Sequence, residues 1–208
     1  MAVLIQRIER SQRVKNRWLI HLEDGAILRV SESELVDFSL YAGMELDNRT
    51  LEQLSRAANC SALKEKALQL LAARPFSRQE LITKLAGRET PSEDDVQQVA
   101  DRLEELGLLN DGEYAKKLVS HYAAKGYGVY KLRDELYRRG VPREFWEDAL
   151  AELEDSSDAI DAFLRKKLTC SSPDRRELKR VSDALSRRGY TWAEISAALR
   201  RLGADTED

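Results

Sequence analysis

The stretch Leu136-Tyr137-Arg138-Arg139-Gly140-Val141 returns 49 residues later as Leu185-Ser186-Arg187-Arg188-Gly189-Tyr190. The same offset carries Trp146, Ala149 and Leu150 onto Ile195, Ala198 and Leu199. In both copies leucines at helical spacing run into a basic pair and a glycine, the usual residue just past a helix end. A recurring period of this length marks one supersecondary unit, repeated. Upstream, Leu81, Leu85, Val99 and Leu103 play the matching parts in a first copy, with extra residues around Gly87–Pro91. Each copy reads as a helix, a shorter second helix and a third. Three such units in series cannot share one central core. The predicted fold is therefore mainly α: three tandem three-helix modules in an elongated, curved array.

The punctuation around the repeats predicts nine helices over residues 64–202. Lys64–Ala73 stops before Pro75, and Ser77-Arg78-Gln79-Glu80 has the spacing of a capping box opening a helix that ends near Gly87. Thr90-Pro91-Ser92-Glu93 combines a cap with proline in the first turn, and its helix ends at Gly107. Asn110 or Asp111 caps the next, which ends at Gly126. Gly128 opens a helix closed by Gly140, and Pro142 starts one reaching about Leu153. A helix over about Ser157–Leu168 precedes one that starts at Ser172-Pro173 and ends at Gly189. Thr191-Trp192-Ala193-Glu194 is a further capping box, and Gly203 ends the last helix.

Residues 1–30 have a different period. Trp18, Ile20 and Leu22 alternate with Arg17, Leu19 and His21, and Glu23-Asp24-Gly25 supplies a hairpin turn before Ala26–Val30. With the segment around Val3, Ile5 and Ile8 this predicts a small three-stranded antiparallel sheet. Residues 31–59 read as helical and connective. Ser31 with Glu34 and Thr50 with Gln53 have capping-box spacing, Tyr41-Ala42-Gly43 separates two segments, and Leu35, Phe38 and Leu40 pack against the sheet. The expected division is 1–60 for the β segment and connecting helices, then modules at 61–110, 111–155 and 156–208.

Composition excludes much chemistry. The 208 residues are 42% hydrophobic and 34% charged, above the globular average of about 25% charged. Two cysteines (Cys60, Cys170) and two histidines (His21, His121) cannot make a disulfide scaffold or a metal cluster of normal spacing. Gly126-Tyr127-Gly128 lacks the third glycine of a dinucleotide fingerprint, and neither a phosphate-cradling loop nor a GxSxG elbow occurs. The reading is a soluble, non-enzymatic monomer of the reducing cytoplasm, with no metal, no cofactor, no signal peptide and no membrane partner.

The formal net charge is only −3, but its sign is segregated. Residues 89–113 hold nine acidic residues against Arg102 alone. Residues 125–143 carry Lys125, Lys131, Arg133, Arg138, Arg139 and Arg143 against Asp134 and Glu135. Residues 144–161 carry eight acidic residues and no base, and 165–188 carry nine bases against three acids. Basic stretches are mostly second helices and acidic ones mostly third helices. Alternating blocks of this kind commonly give only solubility and weak surface ion pairs; presented on one face, they can meet a charged polymer. Tyr127, Tyr130 and Tyr137 interleave with the bases as stacking residues do, although helical spacing assigns some of them to a core or module interface. Trp146 and Trp192 read as core, and the cysteines as small buried hydrophobes or idle thiols.

Several runs resemble the bacterial RecX regulators. Ala67-Leu68-Gln69-Leu70-Leu71 with Arg74-Pro75-Phe76-Ser77-Arg78-Gln79-Glu80-Leu81 and Lys84-Leu85 is similar to the first repeat of that family. So is Leu103-Glu104-Glu105-Leu106-Gly107-Leu108-Leu109-Asn110-Asp111 with Tyr114-Ala115. Tyr127-Gly128 with Leu132, Glu135-Leu136 and Arg139-Gly140-Val141 resembles the second. The resemblance covers residues 64–202, most specifically 67–150, and implies a negative regulator of the RecA recombinase. Such a protein binds the RecA–DNA filament, limits its extension, and lowers ATP hydrolysis and strand exchange in recombination and repair. A module binding single- or double-stranded DNA directly is the alternative. The expected contact residues are Arg74, Arg78 and Lys84 in the first module, Tyr127, Lys131, Arg138 and Arg139 in the second, and Arg187 and Arg188 in the third. The third repeat departs from the family pattern in lacking a Tyr-Gly pair before its second helix.

Overall fold

A computed structural model describes residues 2–87, 92–153, 155–168 and 174–203. Its elements are β1 (Val3–Arg10), β2 (Arg17–Leu22), β3 (Ile27–Ser31), α1 (Glu32–Asp37), β4 (Glu45–Leu46), α2 (Asn48–Ala73), α3 (Arg78–Ala86), α4 (Glu93–Glu105) and α5 (Asp111–Ala123). They continue with α6 (Val129–Arg138), a 3-10 turn (Arg143–Phe145), α7 (Trp146–Ala151), α8 (Ser157–Lys167), α9 (Arg175–Arg187) and α10 (Trp192–Arg201). The chain divides into two compact units. One holds residues up to Arg74 and Leu81–Leu108; the other holds Pro75–Glu80 and everything from Leu109.

The first unit begins with an antiparallel sheet of order β3-β2-β1-β4. Alternation on β2 buries Ile20 and Leu22 on one core with Ile5, Val30, Leu40, Leu46 and, from α2, Leu54 and Ala58. Leu35 of α1 and Phe38 at its C-cap pack on the same core, as the sequence predicts. Gly25 takes a left-handed φ of +86° in the hairpin turn, where Leu22 N–H donates to the Ala26 carbonyl over 2.9 Å. The sheet has four strands, not three. Glu45-Leu46 pairs with Val3 and Leu4 at the far edge of β1, and two residues are too few to show a period.

The second departure is α2. It runs 26 residues without a break, where the punctuation predicts a separate helix from Lys64. Its cap is Asp47, whose carboxylate accepts from Thr50 N–H over 2.6 Å, so the Thr50/Gln53 capping box is replaced by a cap three residues earlier. The 31/34 capping box forms as read, with Ser31 N–H donating to Glu34 Oε2 over 2.6 Å. Farther along α2, Leu63 and Ala67 are buried, as are Leu81 and Leu85 of α3 and Val96, Val99, Ala100 and Leu103 of α4. The expected Thr90-Pro91 start lies outside the described residues; α4 begins at Glu93 after Ser92.

The second unit contains two separate cores. Tyr114, Ala115, Leu118 and Val119 of α5 join Leu132 and Leu136 of α6, Val141, and Ala149 and Leu150 of α7. Ile160 and Leu164 of α8 join Val181 and Leu185 of α9, Tyr190, and Ile195, Ala198 and Leu199 of α10. Leu136/Leu185, Val141/Tyr190, Ala149/Ala198 and Leu150/Leu199 are thus buried in both copies: the repeat in sequence is a repeat of core positions. Asn110 caps α5, accepting from Glu113 N–H over 2.9 Å. Ser172-Pro173 and Cys170 lie outside the described residues, and Asp174 caps α9. Trp146 is part of the first core and donates its indole N–H to the Val141 carbonyl over 2.9 Å. Trp192 is not core: at the first position of α10 it is 61% exposed. Among the described residues no helix is long and apolar enough to cross a membrane.

Candidate interaction surface

The basic candidates divide by what they touch. On α6, Lys131 Nζ lies 2.8 Å from Asp134 and 3.1 Å from Glu135, and Arg138 Nη1 lies 3.1 Å from the same Glu135 oxygen. Glu135 is only 8% exposed at its side chain, so two cations converge on a nearly buried carboxylate. The hydrogen bonds to Asp134 and Glu135 raise the Lys131 pKa above the ordinary lysine value. Arg133 pairs with Glu147 over 3.0 Å. The basic stretch that reads as a positive face is therefore largely neutralised by its own neighbours, through surface pairs worth about 0–1 kcal/mol each.

Between these charges α6 exposes aromatic surface. Tyr130 is 60% and Tyr137 68% exposed, seven residues apart and hence on one side of the helix. Tyr127, half-buried, packs beside Tyr122 with ring centroids 5.8 Å apart. The signal for Tyr130 and Tyr137 was their phase: they fall off the Leu132–Leu136 face.

On α9 no base has an ion-pair partner among the described residues. Arg175, Arg176, Lys179, Arg180 and Arg187 are exposed, and no carboxylate lies within ion-pair distance of any of them among the described residues. Arg176, Lys179, Arg180 and Arg187 follow helical spacing along one face, opposite the buried Val181 and Leu185. Of these only Arg187 stands in the expected contact set.

Arg139 and Arg188 have internal partners. Arg139 Nη1 lies 3.0 Å from the Tyr114 hydroxyl and 3.4 Å from Glu80 Oε1. Burial opposes the Arg139 charge, but Tyr114 and Glu80 outweigh it and raise the pKa. The Arg188 guanidinium lies over the Phe163 ring at 4.6 Å and the Tyr127 ring at 5.8 Å, and donates to the Gly126 carbonyl over 3.2 Å. Arg78 N–H donates to Asp111 Oδ1 over 2.7 Å, a bond within the second unit. Lys84 is exposed on α3, and Arg74 is the exposed C-cap of α2. The second unit thus gathers Arg78, Tyr127, Lys131, Arg138, Arg139, Arg187 and Arg188, while Arg74 and Lys84 belong to the first.

Comparison with known sequences places these elements. Residues 64–103 match the first three-helix domain of RecX and residues 110–150 the second. "Regulatory protein RecX" of Pseudomonas savastanoi pv. phaseolicola is 37% identical over 146 residues, which span 69% of this chain and 94% of that protein. The chain belongs to the RecX family. The protein of the same name from Chlorobium phaeobacteroides is 32% identical over 137 residues, 65% of this chain and 90% of its own length. A crystal structure of regulatory protein RecX matches the fold over 97% of this chain and 98% of its own, with TM-score 0.69 at 24% identity. RecX from Lactobacillus salivarius matches with TM-score 0.64 over 71% of this chain and 98% of its own, at 21% identity. The chain is thus of a family of regulatory proteins, mostly helical with a small antiparallel sheet.

Proposed function

We propose that this RecX protein is a negative regulator of the RecA recombinase. It binds the RecA–DNA filament and limits its extension, ATP hydrolysis and strand exchange by adhesion without chemistry of its own. The observation that carries the reading is the α9 face, where Arg176, Lys179, Arg180 and Arg187 are exposed around Asp183, with no carboxylate within ion-pair distance of them among the described residues. Four exposed cations to one carboxylate on this face, in a protein of net charge −3, suit a surface of opposite sign on a partner. Lys131 and Arg138 extend the contact from α6, since surface pairs are cheap to exchange for a partner's carboxylates or phosphates. Arg74, Arg78 and Lys84 supply the contact from the first repeat.

The test is ATP hydrolysis by RecA on single-stranded DNA, with this protein added below equimolar amounts. Inhibition is expected, and its loss on replacing Arg176, Lys179, Arg180 and Arg187 with Glu assigns the face. No inhibition at any ratio overturns the reading. The exposed Tyr130 and Tyr137 favour a second reading, direct binding of single-stranded DNA by stacking. That reading calls for binding to naked DNA with a steep salt slope, since phosphate contacts release counterions.

A further inference from the structure

The 49-residue repeat relates contacts as well as cores. Arg139 touches Tyr114 on α5; Arg188 touches Phe163 on α8, the position equivalent to Tyr114. The Arg139 carbonyl accepts from the Ser77 hydroxyl, and the Arg188 carbonyl accepts from Gly128 N–H over 2.9 Å. Ser77 and Gly128 are themselves equivalent: each stands immediately before the second helix of a repeat, α3 or α6. The glycine that follows each arginine is left-handed, φ +65° at Gly140 and +88° at Gly189.

Neither glycine has room for a side chain. A Cβ on Gly140 would lie 2.6 Å from Gln79 Cβ, and one on Gly189 would lie 2.7 Å from Lys131 Cβ. Gly128 is as tight, since a Cβ there would come within 2.6 Å of the Gly189 carbonyl carbon. Backbone therefore meets backbone, and Tyr130 N–H donates to the Gly189 carbonyl over 3.1 Å.

We propose that each Arg-Gly pair is a coupling joint. The guanidinium holds an aromatic residue on its own repeat's first helix, Arg139 through the Tyr114 hydroxyl and Arg188 over the Phe163 ring. The glycine lets the chain reach the opening turn of the second helix in the repeat before. Arg139 and Arg188 are then positioning residues, which fix the segments Ser77–Glu80 and Gly128–Tyr130 of the second unit, rather than contacts for a partner. Arg138 and Arg187, one residue earlier and exposed, are left to face outward.

The joint between α6 and α9 is tested in the full chain by amide hydrogen exchange followed by NMR. Arg188→Ala is expected to speed exchange at the Gly128 and Tyr130 amides about tenfold, while the Leu136 and Leu199 amides inside the two cores keep their rates. Arg187→Ala removes the same charge one residue away and should move neither set. Gly189→Ala should reproduce the Arg188→Ala pattern. Gly203→Ala should not, because Gly203 has a similar φ of +72° but open space around it. If Gly189→Ala does not fold, Arg188→Ala decides. Unchanged exchange at Gly128 and Tyr130 in Arg188→Ala overturns the proposal. So does a uniform rise across both cores, which would make Arg188 a general stabiliser.

Discussion

Thr191 and Glu194 each bond the other's backbone amide: Glu194 N–H donates to Thr191 Oγ1 over 3.2 Å, and Thr191 N–H to Glu194 Oε2 over 2.7 Å. Thr191→Ala leaves the first turn of α10 without its cap and should lower stability by about 1 kcal/mol, measured by urea unfolding. Burial raises the Glu194 pKa, but its bonds to Thr191 and Ser156 outweigh burial and hold it below the usual carboxylate range. Glu34 is lowered against burial in the same way, by Ser31 and Ser61. A carboxylate whose folded pKa lies below its unfolded value, about 4.3, contributes fully above that value. Its contribution is lost as pH falls through the folded pKa. Stability should therefore fall as pH drops below about 4.3, and Glu194→Gln should flatten part of that fall in acid titrations followed by circular dichroism. These caps are local in sequence, so they could be read from it. Trp192 could not: it shares the phase of Ile195 and Leu199, but periodicity does not say whether a neighbour covers the first residue of a helix.

Among elements, α5, α6, α8 and α10 were legible because a glycine, an Asn or Thr cap, or a change of apolar phase marks their ends. The start of α2 was not, because Asp47 and Thr50 both offer a cap and only the tertiary fold chooses. The sheet's fourth strand was hidden by its two-residue length, since β1 recruits it through Val3 and Leu4. On α6 the sequence shows which residues are basic but not that Glu135 draws in both Lys131 and Arg138, because pairing is decided by rotamers and neighbours. Tyr130 and Tyr137, exposed on the same helix, test whether it meets a partner. Alanine at both positions should leave stability within about 0.5 kcal/mol of the parent, as exposed surface changes do. Under the proposed function, the same variant should weaken inhibition of RecA several-fold, measured as the protein concentration giving half-maximal loss of ATP hydrolysis. Undiminished inhibition would remove α6 from the contact.

Over the whole chain the signs nearly cancel, and a net charge of −3 gives no long-range attraction to a polyanion. Under the proposed function, affinity for a filament comes from where the cations stand, and on α9 four of them share a face with no ion pair among the described residues. This part of the candidate site was half legible: the run of bases over 165–188 is plain in the sequence, but only the fold separates Arg187, exposed, from Arg188, held against Phe163. Salt distinguishes the two remaining contact chemistries. If the α9 face meets phosphates, the logarithm of affinity should fall linearly with the logarithm of salt, at about 0.7 per single-strand contact. Replacing Arg176, Lys179 and Arg180 with Gln should then reduce the slope by about 2. If it meets carboxylates on the recombinase, the same substitutions should weaken filament binding while naked single-stranded DNA shows little binding before or after. Fluorescence anisotropy with labelled oligonucleotide, with and without RecA, measures both. A reduced slope on naked DNA would make nucleic acid the primary partner of α9, and unchanged filament affinity in the triple variant would exclude α9 from both.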